Sequence, residues 1–262
     1  ANETWIVLGV GVLLIAFPLA HGIILSSLYI PVTLMLLGLI LRGVAFDLRV
    51  KGGDHRKALW NRAFFVGSLL ASVSQGWMLG AYITGLREDI TSLLFAGLIA
   101  ATLPALYVLL GAAWLLMKSE GELFDKAVRW GRRAMLPMGV ALLLVSVATP
   151  VVSEAIARRW FSLPNAIGLF WFLNRPELLR RGYAWLVYAG IVLICVMAAL
   201  GLAFSIFPDV VMGRMTLWEA SASVASLQFT LVGVVITLPM IVFYTIYIYR
   251  IFHGKARALS YE

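Results

Sequence analysis

Apolar runs separated by short polar connections dominate the sequence, at residues 5–20, 24–46, 63–84, 92–117, 134–152, 161–173, 183–207 and 227–252. Six of the eight reach the roughly 18 consecutive apolar residues that read as a bilayer-crossing helix, and none shows the sustained alternation of a barrel strand. A segment in hydrocarbon must satisfy its own backbone polar groups. The pattern therefore predicts an all-α integral membrane protein, a polytopic bundle of about eight transmembrane helices forming one domain over 1–262. The run 161–173 is the doubtful member. Its thirteen residues rise only about 20 Å against a core of about 30 Å, so it must be extended, sit in thinned bilayer or fail to cross. Pro104, Pro137 and Pro239 fall inside runs and are expected to bend or end them locally.

Composition agrees with this class. Hydrophobic residues make up 62% of the 262 positions and charged residues 13%, against roughly 45–50% and 25% in soluble domains. The net charge of +8 raises nucleic acid as a partner, and the distribution of the cations removes it. Counted by connection, the stretches on alternate sides hold fifteen and four Lys and Arg, the asymmetry that sets membrane orientation. Five lie in 47–62 (Arg49, Lys51, Arg56, Lys57 and Arg62) and five in 118–133. This supports each crossing, including 161–173, and places the C-terminus in the cytoplasm. Trp5, Trp60, Trp130, Trp160, Trp185 and Trp218 fall near the expected interfaces as an aromatic belt. Asn2-Glu3-Thr4 fits a glycosylation sequon, which a cytoplasmic position makes meaningless. The chain opens on Ala1 without a cationic leader pattern, so no signal peptide is expected and the natural N-terminus is expected to precede it.

Candidate chemistry is sparse. There is no phosphate loop, dinucleotide fingerprint, nucleophile elbow or zinc-helix motif. Cys195 is alone in an apolar run and reads as a packing residue. The three histidines are His21 at a span end, His55 in the basic loop and His253 in the tail; a haem or metal needs an imidazole or comparable ligand at membrane depth, and His21, the sole candidate, reads rather as an interfacial histidine with no ligating role. All thirteen carboxylates fall in loops or at span ends, which weakens an ion-coupled transporter reading. Among the remaining polar groups, Arg42 lies inside an apolar run. It either snorkels to the cytoplasmic interface or faces the interior, pairing with a carboxylate or lining a proton route. Asp47 is five residues on, and Glu3 begins a neighbouring segment on the same side. Gln75 and Gln228 read as interhelical hydrogen-bonding groups, and Gly76-x-x-x-Gly80 as a close helix contact. Trp218-Glu219 either caps the last helix or touches a partner.

Several segments taken in order resemble a known family. They are NETW with an apolar run ending AFPLA, then RGVAFDLR, WNRAFFVGSLLASVSQGWMLGA, RRWFSLPN, TLWEAS and SLQFTLVGVVITLPMIVFYTIYIYRIFHGK. Together they resemble subunit II of the bacterial cytochrome bd-type terminal oxidases. The resemblance implies two four-helix bundles plus one peripheral helix, in a heterodimer with a homologous subunit I. That partner would carry haems b and d and the quinol-oxidising loop. Subunit II would carry no haem; it would scaffold the partner, support a proton route from the cytoplasm and, in some members, hold a bound quinone or lipid. Arg42 matches the arginine of the family's F-R-G-V-A-F motif, and Asn2 and Glu3 match the end of its W-D-G-N-E/Q-x-W motif. The aspartate of that motif and the family's first helix would lie before Ala1. A second departure is Asn174-Arg175-Pro176, where family members continue apolar.

The sequence thus predicts a haem-free subunit of a quinol:oxygen oxidoreductase in the bacterial cytoplasmic membrane, an enzyme only as part of its complex. Proton-route candidates are Arg42, Glu3 and Asp47, and candidates for interhelical, quinone or lipid contact are Gln75 and Gln228. Subunit I, membrane lipids and quinol are the expected partners, and no cofactor or metal site is expected in this chain. A secondary transporter or permease is the alternative, distinguished by uptake through the chain alone; an assembly factor is a third.

Overall fold

A computed structural model describes residues 4–152, 184–252 and 254. The described chain is almost wholly helical. In order it forms α1 (Thr4–Ala16), α2 (Pro18–Ser27), α3 (Tyr29–Lys51), a single 3-10 turn (Asp54–Arg56), α4 (Lys57–Ile83), α5 (Ile90–Lys118) and α6 (Glu122–Val152). After residue 183 come α7 (Ala184–Ile206), a two-stranded antiparallel hairpin of β1 (Asp209–Val211) and β2 (Met215–Thr216), α8 (Leu217–Ala220) and α9 (Val224–Ile251). Among the described residues, five helices are long and apolar enough to cross a membrane: α3, α4, α5, α9 and the part of α7 from Tyr188 to Ile206. This is the all-α polytopic class that the apolar pattern predicts. The run 161–173 lies outside the described residues.

Helices α3 to α6 pack one on the next, α7 lies against α5, and α9 against α1. Close approach, rather than large interlocking side chains, sets the two central crossings. A Cβ on Gly38 would stand 2.7 Å from the Gly67 carbonyl oxygen, and one on Gly67 would stand 2.7 Å from the Gly38 oxygen. Nine residues further along α4, Gly76 and Gly80 face Ala100 and Ala96 of α5 at 2.6 and 2.5 Å. Lipid tails are as apolar as leucine, so helices in a bilayer associate through such small-residue contacts and interhelical hydrogen bonds instead of hydrophobic burial. The large apolar side chains accordingly point outward; Phe229 and Ile90 are each 77% exposed.

Two buried clusters brace the ends of this bundle. In one, Leu109, Ala113 and Leu116 of α5 meet Ala127 and Ala134 of α6 and Ile191 of α7. In the other, Ala20, Leu28, Leu86, Val211 and Ala220 join α2, the α4–α5 turn, the hairpin and α8.

Several boundaries differ from the apolar pattern: α4 opens at Lys57, six residues before its run, and α6 at Glu122, twelve residues before its own. The run 5–20 is interrupted at Phe17, because Pro18 starts a new helix at a position where its missing N–H costs nothing. The next run does not open at 24: α2 continues to Ser27 and α3 begins at Tyr29. Conversely, α5, α6 and α9 run unbroken through Pro104, Pro137 and Pro239.

Candidate functional site

Arg42 sits on α3 four residues, about 6 Å, before the end of its apolar run and nine residues before the helix end at Lys51. It is half-buried and has an interaction partner within the chain. Its backbone lies in the narrowest part of the α3–α4 seam, since a Cβ on Gly67 would come within 2.9 Å of the Arg42 nitrogen. The guanidinium is thereby attached to a stretch of backbone that the facing helix holds in place. Asp47 is exposed further along α3. Glu3 lies outside the described residues.

The basic connection beyond Arg42 is organised. Arg49 and Lys51 occupy the last turn of α3, where cations complement the helix dipole. The Arg49 Nε donates to the Asn61 side-chain oxygen at 2.6 Å, tying α3 to the start of α4 across the loop. At this same end of α5, Lys118 donates to the carbonyls of Phe252 and Gly254, at 2.8 and 3.2 Å, and stands 5.3 Å from the Trp114 ring centre. Trp114 also meets Tyr188 and Tyr249, so one cation and three aromatic rings fasten the end of α9 to α5 and α7.

Gln75 is placed by α4 eight residues, about 12 Å, before Ile83. The Tyr107 hydroxyl of α5, seven residues past Ala100, donates to its side-chain oxygen at 2.7 Å. Gln228 lies in the second turn of α9 and is exposed. Sequence reasoning did not pair Tyr107 with Gln75. The signal was there in outline, as a phenol inside an apolar run needs an acceptor, but the helix register that brings it to Gln75 is a tertiary fact.

The opposite end of the bundle carries a second ordered region. The Tyr82 hydroxyl donates to the Val210 carbonyl at 2.6 Å, and Arg214 Nη2 donates to the Leu86 carbonyl at 3.2 Å. The Ala222 N–H reaches the Ala16 carbonyl at 2.8 Å, beside the α1–α2 break. Thr216 and Glu219 form a reciprocal capping box at the start of α8, so Glu219 caps the short helix ahead of the last span. The Thr216 N–H and hydroxyl hold the Glu219 carboxyl below the usual range. Asp89 caps α5 by accepting from the Ser92 hydroxyl at 2.9 Å and its N–H at 3.2 Å. These bonds, aided by Arg87, lower its pKa.

As to redox groups, the described residues supply two histidines, His21 in α2 and exposed His55, and no cluster of three His, Cys, Asp or Glu that could hold a metal ion.

A helical bundle with five described helices of membrane-crossing length and glycine-lined seams between them is an integral membrane protein. The comparisons make this specific: residues 1–252 match the family model described as cytochrome bd terminal oxidase subunit II, and the chain belongs to that family. The cytochrome bd ubiquinol oxidase subunit 2 of Bacillus subtilis (strain 168) is 26% identical over 280 aligned positions, covering 97% of this chain and 81% of the relative. The cytochrome bd-I ubiquinol oxidase subunit 2 of Escherichia coli (strain K12) is 24% identical over 306 positions, with the same two coverages.

Proposed function

We propose that this chain is the haem-free membrane subunit of a bd-type quinol:oxygen oxidoreductase, working in the bacterial cytoplasmic membrane with its C-terminus in the cytoplasm. The family match across residues 1–252 carries this reading. Oxygen reduction belongs to the complex, with haems b and d on the partner subunit I and quinol as the reductant. This chain provides architecture: the outward apolar faces of α7 and α9, the latter with no buried residue, suit a partner or lipid far better than water.

Its second contribution is electrostatic. Arg42 stays charged at any physiological pH and cannot itself relay a proton. From the α3–α4 seam its field stabilises nearby ionised carboxylates and orients water, which favours proton passage from the basic face toward the partner. Asp47 and Glu3 are the carboxylates placed to gather protons on that side. The Gln75–Tyr107 pair and Gln228 are the polar groups within the spans that a quinone carbonyl or lipid headgroup would meet.

The test is Arg42→Leu in the purified complex. Oxidase turnover is expected to fall more than the amount of assembled complex, measured by the yield of copurifying haem-bearing subunit. Equal losses of both would make Arg42 a structural residue. A fully active oxidase from cells lacking this chain would overturn the functional reading as a whole.

A further inference from the structure

At the less basic end of the bundle a cavity of about 310 Å³ opens between the α4–α5 turn and the β1–β2 hairpin. Thr84, Gly85, Arg87, Met212, Gly213 and Arg214 line it, and none of these carries a negative charge. We propose that this cavity is a binding site for a phosphate oxyanion, carried by a phospholipid headgroup or free in solution, with Arg87 and Arg214 as its two cationic contacts.

Two features make the cavity a formed site. Gly85 and Gly213 adopt φ of +72° and +67°, the left-handed region open to glycine, and Gly85 lies so close to the hairpin that a Cβ would stand 2.8 Å from the Met212 oxygen. The Tyr82 and Arg214 bonds to the facing backbones hold the walls together.

The arginines have donors to spare. Each guanidinium offers five N–H groups in a fork that matches phosphate geometry. Arg214 donates one to Leu86, and Arg87 engages Asp89 through Nε at 3.2 Å. Two carboxylates lie beside the lining, each already partnered: Asp89 accepts from Ser92 and pairs with the Nε of Arg87 alone, leaving the other Arg87 donors open, and Asp209 accepts from the Gly213 N–H at 2.9 Å.

Location supplies the independent argument. The connections assigned to this side hold only four Lys and Arg (Arg87, Arg158, Arg159 and Arg214), and two of the four line one cavity. At the base of the same hairpin Phe207 and Trp218 meet edge to face at 5.9 Å and are largely exposed, as aromatic side chains at headgroup level are. The volume is at the small end of ligand sites of roughly 300–1,000 Å³, which suits a headgroup whose acyl chains remain outside.

The experiment uses the purified two-subunit complex, delipidated in detergent and titrated under native mass spectrometry. The probes are phosphatidylglycerol, diacylglycerol, which lacks the phosphate, and inorganic phosphate as competitor. Arg87→Gln is expected to weaken phosphatidylglycerol binding about tenfold and leave diacylglycerol unchanged, while Arg214→Lys, which keeps a charge and a donor, retains most of the affinity. Competition by inorganic phosphate assigns the site to the free anion; no competition, with the tenfold loss intact, assigns it to the lipid. Phosphatidylglycerol binding equal in wild type and Arg87→Gln overturns the proposal, as does diacylglycerol binding as tight as phosphatidylglycerol. Arg87 touches no backbone group across the cavity, so this variant decides the matter even if Arg214 variants fail to assemble.

Discussion

Gly67→Ala is the sharpest probe of how the α3–α4 seam positions Arg42. The added methyl would stand 2.7 Å from the Gly38 oxygen, 2.9 Å from the Arg42 nitrogen and 3.3 Å from the Leu41 Cβ. The first distance is about 0.6 Å short of the ~3.3 Å at which a carbon comfortably meets a carbonyl oxygen. Both of the closest atoms are backbone and no rotamer change relieves them, so the two helices must separate. Overpacking of this kind costs about 1–3 kcal/mol. At about 2–4 °C per kcal/mol for a chain of this size, the apparent unfolding midpoint of the purified complex should fall by roughly 2–12 °C. Turnover should fall as well, because the displaced backbone carries Arg42. Gly43→Ala is the control: it is next to Arg42 on the same helix, and its Cβ would meet nothing within 4 Å in this chain. Helix propensity favours that change by up to about 1 kcal/mol, so stability should hold or rise. A Gly67→Ala complex as stable and as active as the Gly43→Ala complex would refute the account of a glycine-determined seam.

Two further outcomes are expected. A double-mutant cycle of Tyr107→Phe and Gln75→Leu should give a coupling of about 0.6 kcal/mol, the average for hydrogen bonds between membrane helices; strict additivity of the two midpoint shifts would mean that the bond contributes nothing. Asp89 titrates below its ordinary value because Ser92 donates to the ionised carboxylate, so its contribution is complete above the unfolded pKa of about 3.9 and disappears as pH falls through the lowered folded value. The stability gap between wild type and Asp89→Ala should therefore stay constant from about pH 6 to 8 and shrink only in strong acid; a gap that changes across neutrality would contradict this assignment of the cap.

The sequence by itself determined the class, the family and five helices of spanning length. Length and continuity of apolar runs are local quantities, and in hydrocarbon a local segment must satisfy its own backbone, so the helices of 92–117 and 227–252 are legible almost to their ends. Gly76-x-x-x-Gly80 likewise announced a close contact. What lay beyond the sequence was which partner each small or polar residue meets. Nothing local says that Gly38 opposes Gly67, that Tyr107 reaches Gln75, or that Pro18 divides one apolar run while Pro104 and Pro239 leave theirs whole. The cavity between the α4–α5 turn and the hairpin is the clearest case. Arg87 and Arg214 are separated by over a hundred residues in two connections that read as unremarkable loops, and they converge only because Tyr82, Leu86 and Val211 bind those loops to each other. Spans are written in the hydrophobicity of consecutive residues, whereas sites depend on register between helices, which tertiary packing alone decides.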